Sequence, residues 1–471
     1  MLGAAGAQFS QAAGSLVVAV LSMRQPDLHL FGTLSVLLGA LVVATSISTG
    51  LVGDTLTVLD RHDPATRTAL RRLLLLVVGL AAPLGAAAAF GSGLVGGSDA
   101  LLFGALVAVW VAEDVLRRLL MACLRFWRVV VVDLTHLVTV LGVLATAAVI
   151  TGRPPDLGWY LIALVGGQVA ASVPAVAGLP SAERYLGPVA PGRFAAVLRY
   201  GGHRALQGLL RPATLLLMRV AVMAGCGSLA LARLETGRVV TSPALLLVSG
   251  GGTYLLSRYA VGARRGDGGR RVEADRAALV LAATTVVTTV AVLGVTLAVP
   301  QALGTAVADL SRGSLGALVA VWGGYVLAVA VAMPYTSLGA VRVAQARLLK
   351  VRSADTALQV AVGALLLGFA PDASLFLPSV TGVVSVAVTL TALRPLVADA
   401  CGARDCGADC PDRWVSPDGP GSPTEAVATG LEQGRVLRER HPYPVAAEGG
   451  ARVAFPDNRT VAPAVDRYRE G

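Results

Sequence analysis

Three arginines lie within one apolar stretch, and their spacing places them on one side of a helix. Arg204 and Arg211 are seven residues apart, so they project from nearly the same face. Arg219 lies about 80° round from Arg211 at roughly 100° per residue, still on the same broad side. The stretch 204–225 contains no acid. Because guanidinium groups bind phosphate bidentately, this helix favours an anionic ligand; the alternative is that the arginines extend to lipid head groups.

A second group of charges lies on an earlier apolar segment, the fourth along the chain. Glu113 and Asp114 precede Arg117 and Arg118 by four residues each. This spacing predicts two i, i+4 ion pairs, since side chains four residues apart are neighbours on a helix surface. A structural role at the end of the helix and a contact that gates a pathway both fit this pattern.

The fifth and first apolar segments carry further polar candidates. Asp133 and His136 lie one turn apart and could relay protons, although an acid favoured by a helix N-terminus is the simpler account of Asp133. Arg24 ends the first segment, where it could line the mouth of a pathway. Gln11 lies on a polar stripe of the same segment and is a further candidate for substrate binding.

The elements that position these residues are too apolar for a soluble globule. Of 471 residues, 55% are hydrophobic and 14% charged, and the mean hydropathy is +0.69. A bilayer core about 30 Å thick needs about 20 mostly apolar residues per helix, so we predict an all-α polytopic membrane protein with about twelve transmembrane helices. The predicted spans are Ala4–Met23, Leu30–Val52, Leu73–Val95, Leu101–Cys123, Val129–Ile150, Trp159–Leu179, Arg204–Gly225, Thr236–Leu256, Ala277–Val299, Leu315–Leu338, Ser353–Pro371 and Leu375–Leu393.

Basic residues alternate between the connections. Arginine-rich connections follow every second span, and the intervening ones carry only Arg24, Arg153, Arg233 and Arg312. Because basic residues oppose translocation of short loops, the rich connections and both termini are expected in the cytoplasm. The basic residues in the cytoplasmic connections would also contact anionic lipid head groups. Their number explains the net charge of +10 better than nucleic-acid binding does.

The chain consists of two related halves. Arg125, Arg128 and Asp133 at the fifth helix have the same spacing as Arg347, Lys350 and Asp355 at the eleventh. The first and seventh helices carry polar stripes, formed by Gln8, Gln11, Ser15 and Ser22 and by Arg204, Gln207, Arg211 and Thr214. We predict a parallel repeat of two six-helix bundles, 1–179 and 203–397, with a cytoplasmic linker, 180–202, and a mostly disordered cytoplasmic tail, 398–471.

No catalytic or cofactor-binding motif is visible in the sequence. A nucleophile triad, a phosphate-cradling glycine loop and a metal motif are all missing, so we predict no enzyme activity, cofactor or metal. Cys401, Cys406 and Cys410 in the tail lack a fourth ligand, which argues against a zinc site. A capping box at Ser422 predicts one short tail helix, to about Arg440.

Several of these features together resemble the polysaccharide-export flippases of the multidrug/oligosaccharidyl-lipid/polysaccharide (MOP) superfamily. The shared features are Pro26 followed by Phe31-Gly32, Glu113 leading into Arg117-Arg118, Ala122-x-x-Arg125, Asp133 opening the next helix, and Pro243 inside the eighth. The resemblance spans Ala4 to about Ala398, with Pro26 further from Phe31-Gly32 than is usual in the family.

This resemblance implies a flippase of the bacterial plasma (inner) membrane that carries polyprenyl-pyrophosphate-linked glycans from the inner to the outer leaflet by alternating access. Basic residues on the first and seventh helices would hold the pyrophosphate, a role that maps onto Arg211, Arg219 and Arg24. The partners it implies are the anionic lipid-linked glycan, the bilayer, glycosyltransferases and a polysaccharide polymerase, without nucleic acid.

Three other interpretations stay open. A MATE-like cation-drug antiporter of the same superfamily would need acids in its cavity, and helices one and seven contain none. A major-facilitator exporter has a signature in the loop after its second helix, which Gly53-Asp54 and Asp60-Arg61 resemble only loosely. A non-transporting scaffold in envelope synthesis would tolerate the joint loss of Arg211 and Arg219.

Overall fold

A computed structural model describes residues 2–25, 27–53, 55–56, 63–123, 125–180, 183, 194–264, 271–298, 311–343 and 345–405. Within these ranges the chain is almost entirely helical and contains no strand, which confirms the all-α class. Cys406, Cys410 and the short helix predicted after Ser422 lie outside the described residues.

The first half of the described chain contains six helices, and local sequence sets where several of them begin. They are α1 (Leu2–Met23), α2 (Leu28–Ser48, continued by the π-helical turn Thr49–Gly53), α3 (Pro64–Gly91), α4 (Gly97–Ala122), α5 (Phe126–Thr151) and α6 (Leu157–Gly178). Asp63 accepts a hydrogen bond from the Thr66 amide at 3.0 Å, and Pro64 occupies the first helical position. Asp156 accepts from the Trp159 amide at 3.1 Å. These carboxylates satisfy amides that a helix start leaves unpaired.

The second half begins with one helical segment, Phe194–Arg264, that is interrupted at Gly227 with φ 84° and ψ 170°. Residues with a side chain rarely adopt this φ, so glycine permits the corner. We label the two helices α7 (194–226) and α8 (228–264). They are followed by α9 (Arg271–Ala298), α10 (Arg312–Arg342), α11 (Gln345–Phe369) and α12 (Leu377–Val388, continued by the π-helical turn Thr389–Leu393 and by Arg394–Asp405).

The described helices match the twelve predicted spans in number and order, with some changed ends. α7 begins at Phe194, inside the interval predicted as a linker, and the last helix continues to Asp405, past the predicted bundle end. Arg233 was expected in an external connection but lies inside α8, because the chain turns within a single residue at Gly227. The domain boundaries proposed from the sequence stay predictions.

Length and composition identify eight membrane-spanning segments among the described residues. One of them, Phe194–Leu256, contains α7 together with most of α8. α4 and α11 fall outside this set because charged residues interrupt them, and only Ala13–Met23 of α1 qualifies, as a shorter apolar helix. At 22 to 26 residues, these three helices are still about 33 to 39 Å long, enough to cross a bilayer.

The two largest clusters of buried apolar side chains largely follow the division into halves. One cluster draws on all six helices of the first half and includes Phe103 and Leu161, while another in the second half includes Met218 and Leu377. α2 joins the halves, since its Val36 belongs to the second-half cluster. A Cβ on Gly32 would lie 2.7 Å from the Ser228 carbonyl oxygen, so α2 and the start of α8 are in backbone contact there.

The outer surface of the helices is apolar. Leu84 on α3, Val149 on α5 and Val287 on α9 are 63%, 83% and 68% exposed. Soluble monomers rarely expose continuous apolar areas of this kind, and hydrocarbon chains are the solvent that suits them. The chain is therefore a multi-pass membrane protein.

The two acids that the sequence matched by spacing each accept a hydrogen bond from a serine hydroxyl. Asp133 on α5 accepts from the Ser10 hydroxyl on α1 at 2.5 Å. Asp355 on α11, its counterpart by sequence spacing, accepts from the Ser385 hydroxyl on α12 at 3.1 Å. In each half, an acid of the fifth helix thus binds a serine of another helix, but Asp355 lies in the middle of α11 and its partner is on the sixth helix of its half, not the first. The repeat therefore stays a prediction.

Candidate functional site

A cavity of about 400 Å³ lies between the two halves, and we call it the central cavity. One wall is formed by α1, α2, α4, α5 and α6 and the other by α7 and α8. Pockets for small ligands enclose about 300–1,000 Å³, so the central cavity has room for a head group or a small molecule. Its polar and aromatic lining residues are Ser10, Gln11, Ser15, Thr45, Trp110, Glu113, Asp114, Arg117, Asp133, His136, Gln168, Arg219, Arg238 and Ser242.

Two arginines of the second half share one buried carboxylate at this cavity. Arg219 donates from Nε to Glu235 Oε1 at 2.9 Å and from Nη2 to Oε2 at 3.3 Å. Arg238, one turn along α8 from Glu235, donates from Nε to Oε2. The Glu235 side chain is 1% exposed, and a carboxylate buried this deeply needs such partners. Two guanidiniums and one carboxylate leave a net positive charge on the α7–α8 wall.

The corner at Gly227 creates this cluster. Arg219 lies eight residues before the corner and Glu235 eight residues after it, so the two helices bring them opposite each other. Glu235 and Arg238 were not predicted as site residues, because the eighth span was predicted to begin at Thr236, which separates Glu235 from Arg238. The signal that could have found them is the acid and base three residues apart at the start of an apolar segment.

Arg117 departs from its predicted pairing on the opposite wall. The expected i, i+4 pair with Glu113 does not form; Arg117 donates instead from Nε to Asp133 Oδ1 at 3.0 Å and from Nη2 to the Ala7 carbonyl at 3.1 Å. The Arg117–Asp133 ion pair therefore connects α4 and α5, and the Ser10 hydroxyl of α1 donates a further hydrogen bond to the Asp133 carboxylate. The first-half wall is thus held together by contacts among α1, α4 and α5.

The neighbouring pair forms as predicted. Arg118 donates from Nε to Asp114 Oδ2 at 2.8 Å, and Thr49 in the π-helical turn after α2 donates to the same oxygen at 3.1 Å. Glu113 is 6% exposed and, within the described part of the chain, makes no hydrogen bond or ion pair. The structure therefore leaves one buried carboxyl group at the cavity without a protein partner.

Aromatic and amide groups lie beside these charges. Trp110 and His136 meet edge to face with ring centroids 5.5 Å apart. The buried Oε1 of Gln168 accepts no hydrogen bond from the described residues. The proton relay proposed for Asp133 and His136 stays a prediction, since Asp133 is bound by Arg117 and Ser10 and His136 contacts Trp110.

The other predicted site residues are dispersed. Gln11 lines the central cavity, whereas Arg24 is exposed at the end of α1. Arg211 lines a separate cavity inside the second half, and its Nε lies 3.4 Å from the Tyr325 hydroxyl. Arg204 lines neither of these two cavities. The three arginines of α7 therefore do not share one chamber, because Arg211 and Arg219 face different packing partners.

Comparison with known proteins gives a result at the level of the fold. No protein-family model matches the sequence, and no curated protein matches it. A solved structure of a multidrug resistance MATE family transporter of the MOP superfamily, in an inward-facing conformation, superposes with a TM-score of 0.64 over 84% of this chain and 96% of the other, at 13% identity. The chain has the MATE fold.

Two further MATE-fold structures match over a similar length. An outward-facing MATE transporter of the MOP superfamily gives a TM-score of 0.61 at 12% identity, covering 85% of this chain and 96% of the other. A MOP superfamily transporter from Pyrococcus furiosus, described as having a binding pocket of reversed polarity that suggests a different function, gives 0.61 at 13% identity with the same coverage. The MATE fold therefore accommodates pockets of different charge, and the lining residues must decide the ligand.

Proposed function

We propose that this chain is a membrane transporter that flips a polyprenyl-phosphate- or pyrophosphate-linked glycan from the inner to the outer leaflet by alternating access. The observation that carries the proposal is the Arg219–Glu235–Arg238 cluster on the wall of the central cavity. Its excess guanidinium charge suits a phosphate group, which arginine binds with paired hydrogen bonds. Solved MATE-fold transporters in inward-facing and outward-facing conformations support the mechanism.

The geometry changes which arginines would hold the phosphate. Arg219 and Arg238 would bind the phosphate, because both line the central cavity. Arg211 would not contact it, since it lines the cavity of the second half. Arg24 and Arg204 line neither cavity.

The opposite wall suits the sugars of such a substrate. Trp110 offers an aromatic surface for a sugar ring, and rotation of the Gln168 amide would turn its unpaired Oε1 into the cavity, where it would accept a hydrogen bond from a sugar hydroxyl. Gln11 adds a further amide on α1. A cavity of about 400 Å³ holds the phosphate and the first sugar units, so the polyprenyl chain would remain among the lipids.

A second candidate, export of organic cations, is favoured by Glu113. Helices α1 and α7 contribute no acid to the central cavity, but α4 and α5 contribute Glu113, Asp114 and Asp133. Of these, Glu113 lacks a partner among the described residues and is free to meet a cationic substrate. The absence of acids from helices one and seven therefore does not exclude a cation exporter.

The flippase proposal is tested in cells that depend on this gene, by measuring undecaprenyl-linked sugars separately in each leaflet. Arg238→Gln should lower delivery to the outer leaflet at least tenfold, because the cavity wall loses its excess positive charge. Arg233→Gln, an exposed arginine on the same helix, is the matched control and should transport normally. Unchanged delivery in cells that lack the gene, or in the joint Arg219→Gln and Arg238→Gln variant, rejects a flippase and favours a scaffold.

The cation exporter is tested separately with ethidium efflux from proteoliposomes that contain the purified protein. A cation exporter should extrude the dye and lose this activity in Glu113→Gln, while Arg238→Gln should remain active. A flippase should leave ethidium inside the vesicles in all three forms of the protein.

A further inference from the structure

The second half encloses a cavity of its own, which the proposed transport cycle does not use. Its volume is about 120 Å³, and α7, α10, α11 and α12 line it. Three charged side chains contribute to the lining: Arg211 from α7, and Arg352 and Asp355 from α11.

Neither guanidinium at this cavity has a carboxylate partner in the described part of the chain. Arg211 is placed against Tyr325, with its Nε 3.4 Å from the hydroxyl and its Cζ 5.8 Å from the ring centroid. Arg352 forms no hydrogen bond and no ion pair within 4.0 Å with any described residue. Asp355 instead accepts from Gln359 Nε2 at 2.8 Å and from the Ser385 hydroxyl at 3.1 Å.

The charge balance of this cavity is therefore positive. Two guanidiniums and one carboxylate sum to one net positive charge. Arg352 is within electrostatic range of Arg211 and Arg204, which repel it, and of Asp355, which attracts it without forming an ion pair. Unpaired charge inside a membrane protein is costly, and such groups normally pair or face water or a ligand. A single negative charge in the cavity would neutralise the cluster.

We propose that this cavity is a binding site for one small monovalent anion of the halide class, held between Arg211 and Arg352. The Tyr325 hydroxyl accepts from Arg211, so its own hydrogen is available to donate to the anion. The small volume excludes a lipid head group with its sugars, and one net charge favours a monovalent over a divalent ion. The bound ion fastens α7, which also carries Arg219, to α11.

The site is tested on the full-length protein, purified in detergent in sodium gluconate without chloride. Equilibrium binding of radioactive chloride should saturate at about one ion per chain, and replacing gluconate by chloride at constant ionic strength should raise the midpoint temperature of unfolding. Arg352→Gln should weaken chloride binding at least tenfold, and Tyr325→Phe, which removes only the hydroxyl, should weaken it several-fold.

Two control variants separate this site from the central cavity. Arg347→Gln, an exposed arginine on the same helix, and Arg238→Gln at the central cavity should both bind chloride as the unmodified protein does. No saturable binding, or binding lost in Arg238→Gln and kept in Arg352→Gln, overturns the proposal. If Arg352→Gln does not fold, unweakened binding by Tyr325→Phe would have the same meaning. These outcomes do not depend on which substrate the central cavity carries.

Discussion

Arg117 on α4 is paired with Asp133 on α5, with Nε 3.0 Å from Oδ1, and not with Glu113 on its own helix. Both side chains are less than 10% exposed, so the pair is buried between the two helices. The Ala7 carbonyl and the Ser10 hydroxyl complete it from α1. One ion pair thus connects three helices of the first half and leaves Glu113 facing the central cavity.

Removing the acid of this pair should destabilise the first half. Asp133→Asn leaves the Arg117 guanidinium buried beside a neutral amide, and the loss of one partner of a buried pair costs about 3–5 kcal/mol. The measurement is thermal unfolding of the purified protein. The double variant Arg117→Met and Asp133→Leu is the control and should recover most of this loss, since it leaves no unpaired charge. Equal stability of Asp133→Asn and the unmodified protein would contradict the burial of this pair.

Glu235→Gln should be among the most damaging single changes at the central cavity. It leaves Arg219 and Arg238 close together without their shared acid, and an uncompensated buried charge again costs about 3 kcal/mol or more. The joint variant Glu235→Gln and Arg238→Gln should be more stable than Glu235→Gln alone, because the repulsion is gone. A double-mutant cycle of unfolding midpoints measures this coupling, and strictly additive effects would rule it out.

Gly227→Ala tests the corner between α7 and α8. The backbone there has φ 84° and ψ 170°, a region that is nearly exclusive to glycine and costs another residue about 1–3 kcal/mol. Gly225→Ala, two residues earlier, should be neutral or slightly stabilising, since no neighbouring atom lies within 4 Å of the position that its Cβ would take. Thermal unfolding of both variants decides the matter: similar midpoints would mean that the corner does not need glycine.

Gln168→Leu separates a substrate contact from a structural one. The Oε1 of Gln168 is buried and accepts no hydrogen bond from the described residues, so replacing the amide by an apolar group of similar size should keep stability or raise it by about 1 kcal/mol. Transport should nevertheless fall, because a substrate hydroxyl loses its acceptor. Leaflet-resolved glycan analysis, alongside the unfolding midpoint, distinguishes this outcome from a variant that lowers both.

Much of the fold could be predicted from the sequence, because a bilayer imposes simple requirements. Apolar stretches of about 20 residues give the number and order of the helices. The neighbouring pair Asp114–Arg118 was also predictable, since it lies within one helix and depends only on helical periodicity.

The candidate site depended on contacts between helices, which periodicity does not contain. Arg117 reaches Asp133 on another helix, and Arg219 meets Glu235 because Gly227 folds α8 back against α7. Arg211, on the same broad face of α7 as Arg219, lies in a different cavity. The sequence by itself determined which residues are charged and on which helix they lie. Only the tertiary structure decided which charges neutralise one another and which remain for a ligand, because that depends on the few ångströms between neighbouring helices.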